Sequence, residues 1–228
     1  NALWNAYQDL TRNKFFQGCH HLMNLRELPG SPWFVFHGFD SYLHFCNDFV
    51  AQQKSAIERG IPSLHIVSFR KSASSFIALV LAQGLDIPAC ITSFLHTMIV
   101  PSWLRCFLRG GAVTHEHTFP FRANRALLRS HSVPTIIHVR NPKQVIVSHA
   151  HFYKKYLEET VKENFTPGQK WFLDASLKDR IDFLIDDLIP YYGRWIIGWY
   201  KAWEQKALHI KFTSYEEFVR NESLFFEK

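Results

Sequence analysis

Residues Arg140 to Phe152 read Arg-Asn-Pro-Lys-Gln-Val-Ile-Val-Ser-His-Ala-His-Phe and gather a guanidinium, a proline and a hydroxyl around one point. The apolar run Pro134 to Val139 before them reads as a strand, and the apolar pattern after them as a helix. Proline suits the first turn of a helix, whose first N–H has no intrahelical partner. A helix N-terminus beside an arginine attracts an anion through its open N–H groups and its dipole. Ser148 lies eight residues after Arg140, on the helix that follows, so the layout suggests one phosphate gripped from two sides. A second loop of this kind is Arg70-Lys71-Ser72-Ala73-Ser74-Ser75-Phe76, where two cations precede small residues at the opening of a helix. Small residues let a phosphate approach backbone N–H groups closely, and the serine hydroxyls add donors. Lys71 is placed to stabilise charge on a transferring group. No glycine occurs between Gly60 and Gly84, so this is not the Gly-x-x-x-x-Gly-Lys-Ser/Thr loop of nucleoside-triphosphate kinases.

A proton acceptor is offered by Val113-Thr-His115-Glu116-His117. Histidine changes charge near neutral pH and suits general-base work. On a strand His115 and His117 share a face and Glu116 points to the other, although a strand end could still bring Glu116 into a site. All three remain candidates on spacing alone. His149 and His151 add nitrogens, but helix positions two apart do not face the same way, and no Cys or Asp clusters beside either pair. No metal is therefore expected.

These residues need a scaffold. Residues 1–27 and 40–58 have aromatic and aliphatic residues at helical spacing, and Gly60-Ile-Pro62 ends the second helix. Strands are expected at 63–69, 112–117, 133–139 and 208–212. Helices are expected at 74–83, 91–108 with an interruption near Pro101, 121–130, 143–158, 177–189, 191–205 and from 215. A polar loop is expected over 162–170, containing Pro167-Gly168. Strands alternating with helices imply a P-loop-like three-layer α/β fold, with a central parallel β-sheet flanked by helices. Ligands of such sheets bind at the carboxyl ends of the strands, where the loops after the first and third strands fall. The expected organisation is one domain over 1–228, with a helical N-terminal part at 1–60 and a nucleotide-binding core at 63–220.

Composition narrows the ligand. The chain has 228 residues, 47% hydrophobic and 20% charged, which is globular and large enough for a full core. The formal charge of +6 suits an anionic ligand. No continuous Lys/Arg run or zinc-finger spacing points to nucleic acid. Cys19, Cys46, Cys90 and Cys106 form no C-x-x-C pair and read as buried, reduced thiols. No apolar run reaches the roughly 18 residues that span a membrane. The chain opens on Asn1 without a visible signal peptide, giving a cytoplasmic expectation, or the Golgi lumen had an N-terminal anchor been removed. Asn164-Phe-Thr166 and Asn221-Glu-Ser223 match the glycosylation sequon, a tripeptide that also arises by chance. Aromatic residues are abundant at 16%, and Trp33, Phe34, Phe36, Trp103 and Phe119 to Phe121 read mostly as core.

Taken in order, the motifs resemble those of the sulfotransferases that use 3′-phosphoadenosine 5′-phosphosulfate, most nearly the cytosolic type. Lys71-Ser-Ala-Ser-Ser-Phe76 is similar to that family's 5′-phosphosulfate loop, usually Pro-Lys-Ser-Gly-Thr-Thr-Trp. Arg140 to Ser148 is similar to its 3′-phosphate motif, Arg-Asn-Pro-Lys-Asp-Val-x-Val-Ser. Gly193-Arg-Trp195, Trp199 to Glu204, Leu208 to Phe212 and Tyr215-Glu-Glu217 follow the family's late helix, strand and Tyr-Glu-Asp order. The resemblance covers roughly residues 63–220. It implies transfer of a sulfuryl group to the hydroxyl, or less readily the amine, of a small-molecule or carbohydrate acceptor. Arg70, Lys71, Ser72, Ala73, Ser74 and Ser75 would hold the donor's 5′ end. Phe76 would stack on the adenine with Tyr215 near it, and Arg140 and Ser148 would hold the 3′-phosphate. The family's Lys-Thr-His would make His115 the base and Lys71 its catalytic partner. Val113 stands where the family has that lysine, and Ala73 where it has glycine. The family's late Arg-Lys-Gly segment has no match within residues 1–228. A non-catalytic nucleotide-binding protein and a P-loop-related kinase are the alternatives. Neither the acceptor nor the oligomeric state is legible.

Overall fold

The computed structural model describes residues 49–94, 97–161 and 165–226. The helix expected at 1–27, the start of the one at 40–58, Trp33, Phe34, Phe36, Cys19, Cys46 and the Asn164 sequon residue lie outside the described residues.

Four expected strands and one unexpected strand, Ala89–Cys90, form the sheet. β1 (His65–Ser68), β6 (Thr135–Val139) and β7 (Ile210–Ser214) pair in parallel in the order β1-β6-β7, with His65 opposite Thr135 and Thr135 opposite Ile210. β2 (Ala89–Cys90) pairs in parallel with β5 (Val113–Thr114). The β5 segment is joined to β1 by backbone bonds: Leu64 N–H to the Ala112 carbonyl at 2.8 Å, Thr114 N–H to Leu64 at 3.0 Å, Glu116 N–H to Ile66 at 2.8 Å, and Ser68 N–H to Glu116 at 2.7 Å. The array therefore runs β2-β5-β1-β6-β7 with every strand parallel.

Strand alternation sends neighbouring residues to opposite faces. Ile66 and Ile136 pack on one face with Ile77 and Ala78 of the helix Ser74–Leu85. Val67 and Ile137 pack on the other, with Leu104, Leu128, Val145 and the long helix Leu177–Glu204. Both faces are covered, which is why these strands read as continuous apolar runs rather than alternating ones. The result is the expected P-loop-like three-layer α/β arrangement.

Three element expectations are corrected, and proline is involved each time. The helix expected at 91–108 is confined to Pro101–Phe107, and β3 (Ser93–Phe94) and β4 (Met98–Ile99) pair antiparallel ahead of it. Pro101 begins that helix rather than interrupting it, as its missing N–H allows. The loop expected over 162–170 contains the start of a helix, Pro167–Asp174. Thr166 and Gln169 cap it reciprocally and Pro167 again takes the first turn. The helices expected on either side of Pro190 are one helix, Leu177–Glu204. An interior proline costs about 3 kcal/mol. Against that, Leu184, Leu188, Tyr192, Trp195 and Trp199 form one continuous buried stripe along the helix. A helix broken at 190 would divide that stripe.

Among the described residues no helix is long and apolar enough to cross a membrane. Cys90 and Cys106 are both buried free thiols, and burial raises the pKa of each.

Candidate active site

The loops after β1 and β6 meet at the carboxyl end of the sheet around a cavity of about 810 Å³. Arg140 follows β6 directly and joins the two loops: its Nη1 donates to the Lys71 carbonyl at 2.7 Å. Its own carbonyl accepts from the Tyr192 hydroxyl at 2.7 Å, and its guanidinium lies 3.9 Å from the centre of the Tyr215 ring. Asn141 Oδ1 caps the next helix (Pro142–Tyr156) by accepting from Lys143 N–H at 3.0 Å, and Asn141 N–H donates to Glu216 at 2.9 Å. One arginine is thereby fixed against three elements, so little conformational freedom remains to be lost on binding an anion.

The loop after β1 turns through two left-handed residues, Lys71 at φ 64° and Ala73 at φ 66°. That path delivers the N-terminus of the helix Ser74–Leu85 to the cavity, with no side-chain cap and no acid in its first turn. Its open N–H groups favour an anion. Ser72 is buried, and its Oγ has no hydrogen-bond partner among the described residues. Ala73 holds a conformation that disfavours a Cβ by roughly 1 kcal/mol. Ala73→Gly is accordingly expected to stabilise the fold by about 1 kcal/mol, read as a raised midpoint in denaturant. An unchanged or lowered midpoint would show that the strain is absent.

Every expected donor-binding residue except buried Ser72 lines this cavity: Arg70, Lys71, Ala73, Ser74, Ser75, Phe76, Arg140, Ser148 and Tyr215. Phe76 is half-exposed and Tyr215 carries Arg140, so both rings flank the open space. Lys71 Nζ rests 3.8 Å from the centre of the Phe152 ring. Partial burial and then the Arg140 charge lower its pKa. Among the described residues the lining contains three cations, Arg70, Lys71 and Arg140, and no carboxylate.

The three base candidates separate. His117 lines the cavity and His115 does not. The strand ladder explains this, since Glu116 pairs with Val67 and its carbonyl accepts from Ser68 N–H. His117 is thus level with the end of β1, where the Arg70–Ser75 loop opens. His115 shares its face but sits two residues, roughly 7 Å, further back along the strand. Glu116 points into the interior, fully buried, and its carboxylate accepts from Thr92 N–H, Thr92 Oγ1 and Ser93 Oγ. His117 Nδ1 lies 3.0 Å from the Ser68 carbonyl oxygen. A carbonyl can only accept, so Nδ1 carries the proton of the neutral ring and Nε2 holds the lone pair.

Sequence reasoning missed one wall. His149, Phe152, Tyr153 and Tyr156 line the cavity from the Pro142–Tyr156 helix. Their spacing of three, four and seven residues from His149 was the available signal. Among the described residues no group of three or more His, Cys, Asp or Glu side chains converges to hold a metal.

Burial, with Arg70 and Lys71 nearby, pushes His149 down to about 4. Burial likewise takes His65 and His138, which bond to Thr135 and Thr213 within the sheet, down to about 4. Unfolded histidines titrate near 6.5. As the pH falls from about 6.5 towards 4, the unfolded chain takes up protons that the native chain refuses, so native stability falls across that window. Each such histidine is worth on the order of 3 kcal/mol once the window is crossed. Thermal melts at pH 7.5 and 4.5 should show a large drop in midpoint at the lower pH, and equal midpoints would contradict it.

No protein-family model matches the chain, and no curated protein matches it. A solved structure similar to it is that of mouse sulfotransferase SULT7A1 complexed with PAP, at 16% identity and a TM-score of 0.48. The likeness covers 76% of this chain and 62% of that chain, so less than two thirds of the latter's length is spanned.

Proposed function

We propose that this chain is a sulfotransferase. It takes the sulfuryl group from 3′-phosphoadenosine 5′-phosphosulfate and passes it to the hydroxyl of a small-molecule or carbohydrate acceptor, with residues 63–220 as the nucleotide-binding core. The observation that carries this reading is the bond from Arg140 to the Lys71 carbonyl. It joins two anion loops 69 residues apart in sequence into one cavity, with an aromatic ring beside each.

The residues fit the donor. Arg140 and Ser148 hold the 3′-phosphate, and the guanidinium offers a planar fork that suits phosphate oxygens. The open N–H groups before Ser75, with Lys71 and Ser74, hold the 5′ end, and Ser72 lies buried beneath them. Phe76 and Tyr215 flank the adenine.

The donor supplies an electrophilic sulfur on a phosphate leaving group. His117 Nε2 accepts the acceptor's hydroxyl proton as the oxygen–sulfur bond forms. Lys71 neutralises the charge that gathers on the bridging oxygen as the bond from sulfur to the 5′-phosphate breaks. In this reading the base is His117 rather than His115, because the proton must leave from within the cavity. Arg70 adds a second cation on that side, where Val113 leaves no lysine on β5.

Calorimetry with 3′-phosphoadenosine 5′-phosphate against 5′-AMP tests the reading. A clear preference for the 3′-phosphorylated nucleotide is expected, and equal affinities would sink it.

A further inference from the structure

His117 lies in a stretch, 117–121, that belongs to no strand or helix, yet a base must be held to within a fraction of an ångström. Its upstream neighbour is fixed by the bond from Ser68 N–H to the Glu116 carbonyl and by the buried Glu116 carboxylate. The downstream side is held differently. Trp195 Nε1 and Trp199 Nε1 both donate to the Thr118 carbonyl, at 2.9 and 3.2 Å. Both indoles are fully buried, and they lie four apart on one face of the Leu177–Glu204 helix. A carbonyl oxygen has two lone pairs, and here each has its own donor. Between the two tryptophans, Gly198 lets the Pro120 ring rest on the helix backbone, and a Cβ there would overlap that ring.

We propose that Trp195 and Trp199 are positioning residues that hold His117 at the cavity wall by clamping the Thr118 carbonyl. This rests on the assignment of His117 as the base. Two tryptophans in a core are ordinarily explained by packing alone. Packing does not require both polar atoms to converge on one carbonyl adjacent to a cavity histidine. The clamp fixes the peptide after Thr118, the Ser68 bonds fix the peptide before His117, and the ring's direction into the cavity follows from both.

The test replaces both indoles by phenylalanine (Trp195→Phe with Trp199→Phe), which keeps aromatic bulk and removes both donors. Turnover is read as release of 3′-phosphoadenosine 5′-phosphate from the donor with water as acceptor. The expected result is a fall in kcat of about 10²-fold with KM for the donor unchanged. Either single variant, retaining one donor, should keep most of the rate. ¹⁵N shifts of His117 should show one Nδ1-protonated tautomer in the native chain and a mixture in the double variant. Wild-type kcat and a single tautomer in the double variant would overturn the clamp. Should that variant fail to fold, Gly198→Ala, which displaces Pro120, is expected to give the same loss of kcat and the same mixture. Failure of the sulfotransferase reading itself is told apart by the native chain's indifference to the 3′-phosphate. In that case the tautomer measurement still decides the clamp.

Discussion

His117→Ala is expected to lower turnover by about 10²–10⁴-fold while leaving affinity for 3′-phosphoadenosine 5′-phosphate nearly unchanged. The expectation follows from position. His117 is the residue at which the β5 segment reaches the cavity, and its Nδ1 bond to the Ser68 carbonyl leaves the lone pair on Nε2. None of the groups assigned to the nucleotide depends on that ring. His115→Ala is the control, since it changes a residue of the same type two positions earlier in the same segment, outside the cavity lining. It should retain most of the rate. A reversed pair, with His115→Ala inactive and His117→Ala active, would return the base to the position implied by motif resemblance. Glu116→Gln is a poorer control, because the Glu116 carboxylate accepts from both Thr92 and Ser93, and its change disturbs the fold.

Arg140→Ala is expected to remove most of the preference for a 3′-phosphorylated nucleotide over 5′-AMP. A hydrogen bond to a charged group contributes about 1.5–3 kcal/mol, so loss of the guanidinium should weaken binding of the 3′-phosphorylated ligand by roughly 10- to 100-fold. Binding of 5′-AMP should change much less. Two further effects separate this residue from a generic cation. The Lys71 carbonyl loses its donor, so the other loop also loosens. Arg140→Lys should recover little, since an ammonium cannot bond the Lys71 carbonyl and present a planar fork to the phosphate together. Equal weakening of both nucleotides would place Arg140 at the 5′ end, and unchanged binding would remove it from the site.

Local chemistry made much of this legible in the chain. Arg140, Pro142 and Ser148 announce a strand-to-helix turn with the chemistry an anion would need, because each acts within a few residues of the others. Lys71 to Ser75 announce a second in the same way. Four of the five sheet strands read as apolar runs bounded by breakers, because both faces of the sheet are buried. The elements that differ from the expectation are those containing a proline that does not end a helix. Pro101 and Pro167 open helices, and Pro190 is carried inside one by the buried stripe from Leu184 to Trp199. Proline reports a missing N–H, and only the packing around it says whether that matters.

The sequence by itself determined that two loops of cations and small polar residues follow apolar strands, and that two histidines come just after a third such run. Those are properties of short segments, and short-range sterics and hydrogen bonding settle them. Tertiary structure decided which loop faces which, through a bond between residues 69 positions apart. It brought His117 rather than His115 to the cavity lining through the pairing of Glu116 with Val67, since alternation fixes the face of a strand but not its depth in the sheet. It also placed two indoles behind that histidine, from a helix whose own periodicity shows only that they are buried. Register and long-range contact have no local signature, and the assignment of chemistry to residues rests on them.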